Sequence, residues 1–255
     1  MSRRRPLVRI GCGLLLYAAA VAGLAQQAPV SKPAILVELF TSEGCSSCPP
    51  ADALLKQMEG KYAPSGQLVI ALSEHVTYWN HDGWVDPFSQ EIFTGRQNAY
   101  GQRFHLDDVY TPQLVVNGEK QVSGSDGQAI LKTFAEASPS PSADIKIQSA
   151  TRDGKSVSVT FSIHGAIPAQ GADLYLAVAE NEVSSSVSRG ENHGRTLTHV
   201  AVVRSLVKLA TIKSETATTV KVPAGSLPEG KPAHVVLFAQ TAGLGRVLGV
   251  VAQPL

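Results

Sequence analysis

The chain has 255 residues, of which 22 are basic and 21 are acidic. This near balance of charge gives no reason to expect nucleic acid or an anionic lipid surface as a partner. The length suggests two domains, since one domain commonly takes about 100 to 200 residues. The sequence contains no phosphate-binding glycine motif, nucleophilic serine elbow or zinc-ligand spacing.

Residues 1–25 have the layout of a secretory signal peptide. Four arginines near the start are followed by an uncharged apolar run from Ile10 to Leu24, and small residues then offer a cleavage site. The run is short for a helix that must cross about 30 Å of hydrocarbon, so we favour cleavage over a membrane anchor. Residues 26–33 are then an N-terminal extension. The mature protein is expected in the periplasm or as a secreted protein, with no membrane attachment.

Cleavage would remove Cys12 and leave Cys45 and Cys48 as the two remaining cysteines, in a chain with 18 basic and 21 acidic residues. A disulfide between them closes too short a loop to stabilise the fold by much. In an oxidising compartment we therefore expect the pair to be present for its chemistry.

A strand–helix–strand unit is predicted around the cysteine pair. Apolar runs at 34–40 and 67–72 indicate two buried strands, and apolar residues recur at helical spacing from Ala51 to Met58. Such a unit implies parallel strands joined by a right-handed crossover.

Two further helices and a hairpin are predicted after this unit. The first helix covers 86–104 with Asp86 as its N-cap. The hairpin joins 113–116 to 120–123 through an Asn-Gly turn, which is the strongest short hairpin signal. The last helix covers 126–137. The order of elements indicates an α/β module.

The sequence changes character at residues 138–142 (Ser-Pro-Ser-Pro-Ser), which read as a linker. Residues 143–255 then show many short segments of period two, which predict an all-β, antiparallel sandwich-like domain. The strands are expected at 144–149, 155–163, 173–180, 197–212, 217–222, 234–240 and 246–252.

Pro49 and Pro50 indicate where the helix after the cysteine pair begins. Proline costs little among the first helical positions, whose N–H groups lack partners, and much more deeper in a helix. With Ser46 as the N-cap, Cys45 precedes the cap and Cys48 lies one turn inside the helix. This placement predicts an exposed Cys45 and a shielded Cys48.

Each cysteine then has a predicted role. The positive end of the helix dipole favours the thiolate form of Cys45, which becomes the nucleophile. Cys48 is the resolving cysteine, because it can attack a mixed disulfide at Cys45 and release the partner. The hydroxyl groups of Ser46 and Ser47 are candidates to donate hydrogen bonds to the thiolate. The alternative for Ser46 is that it only caps the helix, a role that needs no redox function.

A strand, a CxxC motif before a helix and a Thr-Pro dipeptide before a second strand together resemble the thioredoxin superfamily. The residues are Ile35-Leu-Val-Glu-Leu-Phe40, Cys45-Ser-Ser-Cys48 and Val109-Tyr-Thr-Pro112-Gln-Leu-Val-Val-Asn-Gly118. The resemblance implies a thioredoxin-like α/β domain over 34–137, in which 74–108 is an insertion, followed by the β domain.

The same resemblance assigns roles to three more residues. It implies a cis peptide bond before Pro112 and pairing of the backbone at Thr111 with an incoming substrate chain. Glu38 resembles the buried acid that assists proton transfer in thioredoxins, but lies one residue further from the first cysteine. Such a shift can turn a strand side chain to the opposite face of the sheet.

The chain also resembles the domain of unknown function 1223 family of secreted bacterial proteins. The segments that carry this resemblance are Phe40–Pro50, Glu74–Phe88, Gln90–Tyr100, Val109–Gln113 and Gly190–Leu197. It implies a thioredoxin-like fold with a C-terminal β domain and no established substrate.

His75 and Trp79 are further candidate site residues. His75 lies at the carboxyl end of its predicted strand, where open α/β sheets place their ligands. With Cys45 and Cys48 it could form a soft-metal site for copper, although a hydrogen-bonded core histidine fits the pattern too. Trp79 is a candidate for an apolar platform that contacts a protein substrate, or simply a core residue.

We therefore expect an exported thiol–disulfide oxidoreductase that acts on protein cysteines and exchanges electrons with an unknown redox partner. It needs no cofactor other than the Cys45–Cys48 disulfide. One alternative is a periplasmic chaperone or sensor for copper or another soft metal. The other is a non-catalytic binding module, in which the polar loop 184–195 recognises a partner.

Overall fold

The structure is a computed structural model that describes Met1 and residues 33–81, 83–137 and 142–255. The predicted signal peptide, nearly all of the extension 26–33 and residues 138–141 of the predicted linker lie outside the described residues. Within the described ranges, every helix is too short or too polar to cross a bilayer.

Strands outnumber helices along the described residues. The strands are β1 (Ala34–Thr41), β2 (Leu68–His75), β3 (Gln113–Val116), β4 (Lys120–Ser123), β5 (Ala143–Asp153), β6 (Ser156–Gly165), β7 (Ala172–Ser186), β8 (Thr196–Ile212), β9 (Thr216–Pro223), β10 (Ala233–Thr241) and β11 (Val247–Pro254). The helices are α1 (Pro49–Met58), α2 (Glu91–Arg103) and α3 (Gly127–Glu136). Each predicted strand is confirmed, with ends that differ by a few residues.

The protein is mostly β and is built on a large mixed sheet. Eight strands follow the order β11-β10-β7-β8-β2-β1-β3-β4. β1 and β2 pair in parallel, as the strand–helix–strand unit predicts, and β1 and β3 pair antiparallel. A second sheet, β5-β6-β9, is antiparallel. Four strands of the large sheet precede residues 138–142 and four follow them.

The boundary between β2 and β8, which we call the seam, has a short backbone ladder. The register between these parallel strands consists of one pair, Ser73 opposite Val202. By contrast, β7 pairs with β8 along most of the length of both strands. Side chains must therefore supply much of the attraction across the seam.

Side chains of β1 alternate between two cores, as the pleat of a strand requires. Ile35, Val37 and Leu39 pack with α1 and α3, whereas Leu36 packs with Phe93 of α2. The helices α1 and α2 therefore cover opposite faces of the sheet. One face of β7 and β10 packs with Phe93 of α2. Their other face packs against the β5-β6-β9 sheet in a third core.

Two predicted helix starts are wrong. α1 has Cys48 as its N-cap, with Pro49 and Pro50 at the first two helical positions, so Ser46 is not the cap. Proline is most favourable there because its fixed φ matches the helix and its missing N–H is not needed. The helix predicted over 86–104 begins instead at Glu91, with Gln90 as its N-cap.

Other local predictions are confirmed. Asp126 is the N-cap of α3 and its carboxylate accepts a hydrogen bond from the N–H of Ala129 at 3.0 Å. The Asn117-Gly118 turn joins β3 to β4 with positive φ at both residues. This turn also contacts the other half of the sheet, since the N–H of Val247 donates to the carbonyl of Asn117 at 2.8 Å.

Gly118→Ala tests how tightly this turn packs. A Cβ at Gly118 would lie 2.1 Å from the carbonyl oxygen of Gly245, whereas one at Gly60 would meet nothing within 4 Å, and both glycines have φ near +67° (+66° and +69°). We expect Gly60→Ala to lower the free energy of unfolding by about 1 kcal/mol through its backbone conformation alone. Gly118→Ala should lower it by at least about 3 kcal/mol in urea titrations. Equal losses would contradict this close approach.

Candidate functional site

Cys45 and Cys48 form a disulfide in the turn between β1 and α1, with their Cα atoms 5.4 Å apart. The N–H of Cys48 donates to the carbonyl of Cys45 at 3.2 Å, which closes the turn. Cys45 is 1% exposed and Cys48 is fully buried, while the intervening Ser46 and Ser47 are exposed. The prediction of an exposed Cys45 is therefore wrong.

The loop between β7 and β8, residues 187–195, covers the cysteine turn. Asn192 is fully buried and donates from its amide nitrogen to the carbonyls of Glu43 and Cys45, at 2.8 and 2.9 Å. The carboxylate of Glu191 accepts a hydrogen bond from the N–H of Ser46 at 2.9 Å. We call this segment the covering loop. Its contacts explain the burial of Cys45.

Trp79 connects the cysteine turn to the segment before β3. Its indole N–H donates to the hydroxyl of Thr111 at 2.8 Å. Trp79 also packs closely against Gly44 of the cysteine turn, where an added Cβ would lie 2.9 Å from the Cβ of Trp79. The peptide bond between Thr111 and Pro112 is cis, which confirms that expectation.

Pro112 also lies close to the helix that follows the cysteines. A Cβ at Gly124 would lie 3.3 Å from the Cβ of Pro112 and 3.1 Å from the Cβ of Ala51 in α1. Glycine at this position therefore allows the cis-proline segment and α1 to approach one another.

A cluster of buried acids and histidines lies beneath the cysteine turn. We call it the acid–histidine cluster; its members are Glu43, Asp52, His75, Asp86 and His199, and each is less than 5% exposed. Elements from both halves of the chain supply them: the β1–α1 turn, α1, β2, the segment before α2, and β8.

His199 of β8 lies between two carboxylates. Its Nε2 is 3.2 Å from Glu43 Oε1, and its Nδ1 is 3.6 Å from Asp52 Oδ1. Burial lowers the pKa of His199, but the interactions with Asp52 and Glu43 outweigh burial and raise it to about 10. His199 is therefore a cation at neutral pH, and it crosses the seam to reach the cysteine turn.

Glu43 accepts hydrogen bonds from two further side chains. The indole N–H of Trp84 donates to Oε2 at 2.9 Å, and the hydroxyl of Ser185 donates to Oε1. These donors come from the segment before α2 and from β7. The carboxylate two residues before Cys45 is thus held from several directions, as a buried charge requires.

His75 belongs to the same cluster through Asp86. Its Nδ1 lies 2.7 Å from Asp86 Oδ2, and its ring meets that of His199 edge to face at 4.7 Å. Burial alone would raise the pKa of Asp86, but His75 and the N–H groups of Glu43 and Phe88 outweigh it and lower the pKa. Asp86 therefore anchors the cysteine turn to β2, where the sequence predicted a helix cap.

Glu38 lies on the opposite face of the sheet, with α2. It accepts hydrogen bonds from Arg96 Nε and from the hydroxyl of Tyr100, both at 2.6 Å. Arg96 also donates to Gln240 of β10 at 3.1 Å. Glu38 therefore faces α2 and not the helix that follows the cysteines. Through Arg96, Glu38 is linked to Gln240 in the other half of the sheet.

Glu74 completes this second buried group, the arginine cluster of Glu38, Glu74, Arg96, Tyr100 and Gln240. Burial raises the pKa of Glu74 well above its ordinary value, and the charge of Glu38 adds to this effect, although Arg96 opposes it. Arg96 lies 3.8 Å from Glu74 and stacks over the ring of Tyr175 in β7. The cluster therefore joins β1 and β2 to β7 and β10.

The predicted site residues fall into three groups. Cys45, Ser46, Ser47, Cys48, Trp79, Thr111 and Pro112 lie around the cysteine turn, His75 lies in the acid–histidine cluster, and Glu38 lies on the other face. Among the described residues, no group of three or more His, Cys, Asp or Glu side chains is arranged to hold a metal ion.

Sequence reasoning missed Glu43, Asp52, Asn192 and His199. Asn192 lies in the polar loop 184–195, which the sequence makes a candidate for recognition of a partner, but nothing in the sequence places that loop over the cysteines. Glu43 lies two residues before Cys45, and this short spacing is the signal that could have identified it. Asp52 and His199 lie inside a predicted helix and strand, with no spacing that marks them.

The sequence profile of the DUF1223 family, described as a protein of unknown function, matches residues 36–240. The chain belongs to this family. Its structure is similar to that of protein AGR_C_4864 from Agrobacterium tumefaciens, with 28% identity over 87% of this chain and 94% of that chain and a TM-score of 0.64. No curated protein matches.

A more distant likeness shows the fold alone. The structure of HBP35 of Porphyromonas gingivalis is similar at 14% identity, with a TM-score of 0.62. The match covers 88% of this chain and 76% of that chain. The arrangement of both halves of the DUF1223 chain thus recurs at very low identity.

Asn192→Ala is expected to expose the disulfide to small reductants. The substitution leaves two carbonyls of the cysteine turn without their donor, and each lost hydrogen bond is worth about 1 kcal/mol. Reduction of Cys45–Cys48 by dithiothreitol should accelerate by at least about tenfold, because it depends on the open state of the covering loop. The control is His193→Ala, at an exposed position of the same loop, which should leave the rate unchanged. An unchanged rate in Asn192→Ala would show that the loop does not limit access.

The charge of His199 predicts a specific pH dependence of stability. Its pKa in the folded protein, about 10, lies above the ordinary value of 6.5. The stabilisation from this charge is therefore complete below pH 6.5, declines as the pH rises, and is lost above about pH 10. The difference in unfolding free energy between the wild type and His199→Gln should shrink from pH 7 to pH 10. The control His164→Gln, at an exposed histidine, should show no such trend; a constant difference for His199→Gln would contradict the assignment.

Proposed function

We propose that this protein is an exported thiol–disulfide oxidoreductase that acts on protein cysteines through Cys45 and Cys48. The observation that carries the proposal is the combination of a disulfide at the start of α1 with the Thr111-Pro112 segment beside that helix. Disulfide exchange requires a cysteine pair that can pass between dithiol and disulfide without rearranging the fold. A pair separated by two residues meets that requirement.

A thioredoxin-like assignment of residues 34–137 belongs to the same proposal. The order β1-α1-β2 with parallel strands, followed by the β3–β4 hairpin and α3, supports it. The cis bond between Thr111 and Pro112 supports it as well. In this assignment the backbone at Thr111 pairs with the substrate chain, and 74–108 is an insertion that carries Trp79.

Cys45 is the proposed nucleophile and Cys48 the resolving cysteine. Exposed residues follow Cys45, and the hydroxyl of Ser47 lies 3.3 Å from its sulfur, within reach to donate to a thiolate. Cys48 is the N-cap residue of α1, so the cysteine pair lies at the N-terminal, positive end of the helix dipole. The dipole favours negative charge on sulfur.

Access to the pair depends on the covering loop. A partner that attacks Cys45 must displace Asn192 from the cysteine turn, and Glu191 from the N–H of Ser46. The backbone groups released in this way become available to a substrate chain. We therefore propose that a protein partner, and not a small thiol, is the substrate, and that a second protein restores the starting redox state.

Single cysteine variants test the function. In the reduced protein, Cys45→Ser is expected to lower the rate of reduction of a peptide disulfide by at least about a hundredfold, because the nucleophile is lost. Cys48→Ser should accumulate a mixed disulfide with the peptide, which mass spectrometry detects. Lys132→Ala, at an exposed position of α3, is the control and should react as the wild type does. If neither cysteine variant changes the reaction, the enzyme proposal is wrong.

A further inference from the structure

Two side chains beneath the disulfide have buried polar atoms without hydrogen bonds. Both carboxylate oxygens of Asp52 and the Nδ1 atom of His199 lack a hydrogen bond, because Nδ1 and Oδ1 face each other at 3.6 Å, beyond hydrogen-bond distance. A buried polar group in this state costs roughly 1 to 3 kcal/mol, so folded proteins contain few of them. A buried carboxylate with free acceptor capacity therefore calls for a function.

Asp52 and Cys48 lie on the same face of α1. Asp52 follows Cys48 by one helical turn, and its N–H donates to the carbonyl of Cys48 at 3.1 Å. Side chains of a helix point back toward its N-terminus, so the carboxylate of Asp52 is directed over the turn that carries Cys48. Asp52 is 4% exposed and Cys48 is fully buried, so the thiol of Cys48 has no direct contact with bulk water.

His199 holds this carboxylate from the other half of the chain. Its ring approaches Asp52 with Nδ1 at 3.6 Å and Glu43 with Nε2 at 3.2 Å. The other titratable group that faces it is His75, which is itself bound by Asp86. One imidazolium thus offsets two carboxylates, one on each side of the cysteine pair in sequence.

We propose that Asp52 accepts and returns the proton of the Cys48 thiol during disulfide exchange, and that His199 of β8 is the positioning residue for Asp52. This inference rests on the proposed function. It brings the C-terminal half of the chain into the redox site, and it assigns the proton transfer to a carboxylate of α1 and not to Glu38.

Oxidation of the protein proceeds through a mixed disulfide between Cys45 and a partner. In a mixed disulfide of Cys45 with a partner, the S–H bond of Cys48 breaks and its proton moves to a carboxylate oxygen of Asp52. The Cys48 sulfur bonds to the Cys45 sulfur, and the bond between Cys45 and the partner breaks. The electron pair leaves with the partner thiolate, which takes a proton from water. Asp52 releases its proton to water before the next cycle.

In the opposite direction the same groups act in reverse. A partner thiolate attacks Cys45, the disulfide breaks, and the partner forms a mixed disulfide with Cys45. Asp52 then delivers a proton to the Cys48 thiolate that leaves. The partner is oxidised once its second thiol displaces Cys45, and the protein pair becomes a dithiol.

The test measures the resolving step alone. The reduced protein is mixed with a peptide disulfide between pH 5 and pH 9, quenched with acid, and the mixed disulfide is quantified. Asp52→Asn is expected to slow resolution at pH 6 by at least about tenfold, and the rate should then rise with hydroxide concentration. Formation of the mixed disulfide in the Cys48→Ser background should change less than twofold. Lys56→Ala, one turn further along α1, should leave both steps unchanged.

His199→Gln distinguishes a positioning role from a merely structural one. Loss of structure alone would lower stability and leave the pH profile of resolution in place. The proposal expects the profile to move toward that of Asp52→Asn in a variant whose near-ultraviolet circular dichroism is unchanged. A wild-type pH profile in folded Asp52→Asn would overturn it.

A titration decides the inference even if the wild type proves unable to exchange disulfides, an outcome that would overturn only the proposed function. In Cys45→Ser, the ¹³Cβ shift of Cys48 reports the ionisation of its thiol. A nearby carboxylate disfavours the thiolate, so adding Asp52→Asn should move the titration midpoint to lower pH by about one unit. An unmoved midpoint would show that Asp52 and Cys48 do not interact and would overturn the inference.

Discussion

The short backbone ladder at the seam is the constraint on which the rest of the structure depends. One register pair, Ser73 opposite Val202, joins β2 to β8, so side chains supply much of the attraction between the two halves of the mixed sheet. Charged groups cross the seam on both faces: His199 reaches the cysteine turn on the face of α1, and Arg96 reaches Gln240 and Tyr175 on the face of α2. Removal of one partner would leave a buried charge unpaired, which costs several kcal/mol.

Side chains that stabilise the contact between the two halves of the sheet also lie next to the disulfide. On the face of α1, the residues that keep the halves together also lie around the disulfide, since Glu43 and Asp52 flank the cysteine pair in sequence and both face His199. The covering loop follows directly from β7 and ends where β8 begins, so its position over Cys45 depends on the same strand pairing. A site built in this way requires the whole chain, although the cysteines come from its first third.

The sequence predicted the individual elements better than their partners. Apolar runs located β1 and β2, and alternation of apolar residues located the strands from β5 onward. Asp126 and the Asn117-Gly118 turn were recognisable because capping and turn residues act locally. The pairing of β8 with β2 had no local signal, since period two gives a strand its faces but not its neighbour. For the same reason Glu38 could not be assigned to a face, and His199, inside an ordinary strand pattern, could not be recognised as a neighbour of Asp52.

Burial of the disulfide under the covering loop has a consequence for how the pair equilibrates. Thiol–disulfide exchange requires an attacking sulfur to reach a sulfur of the disulfide, and Asn192 keeps the backbone of Cys45 covered. Small thiols in the surroundings must therefore wait for the loop to open by itself, whereas a partner that binds the loop can lift it. In the proposed function, burial under the loop would make the redox state of the pair follow its protein partner more closely than the ambient thiol pool.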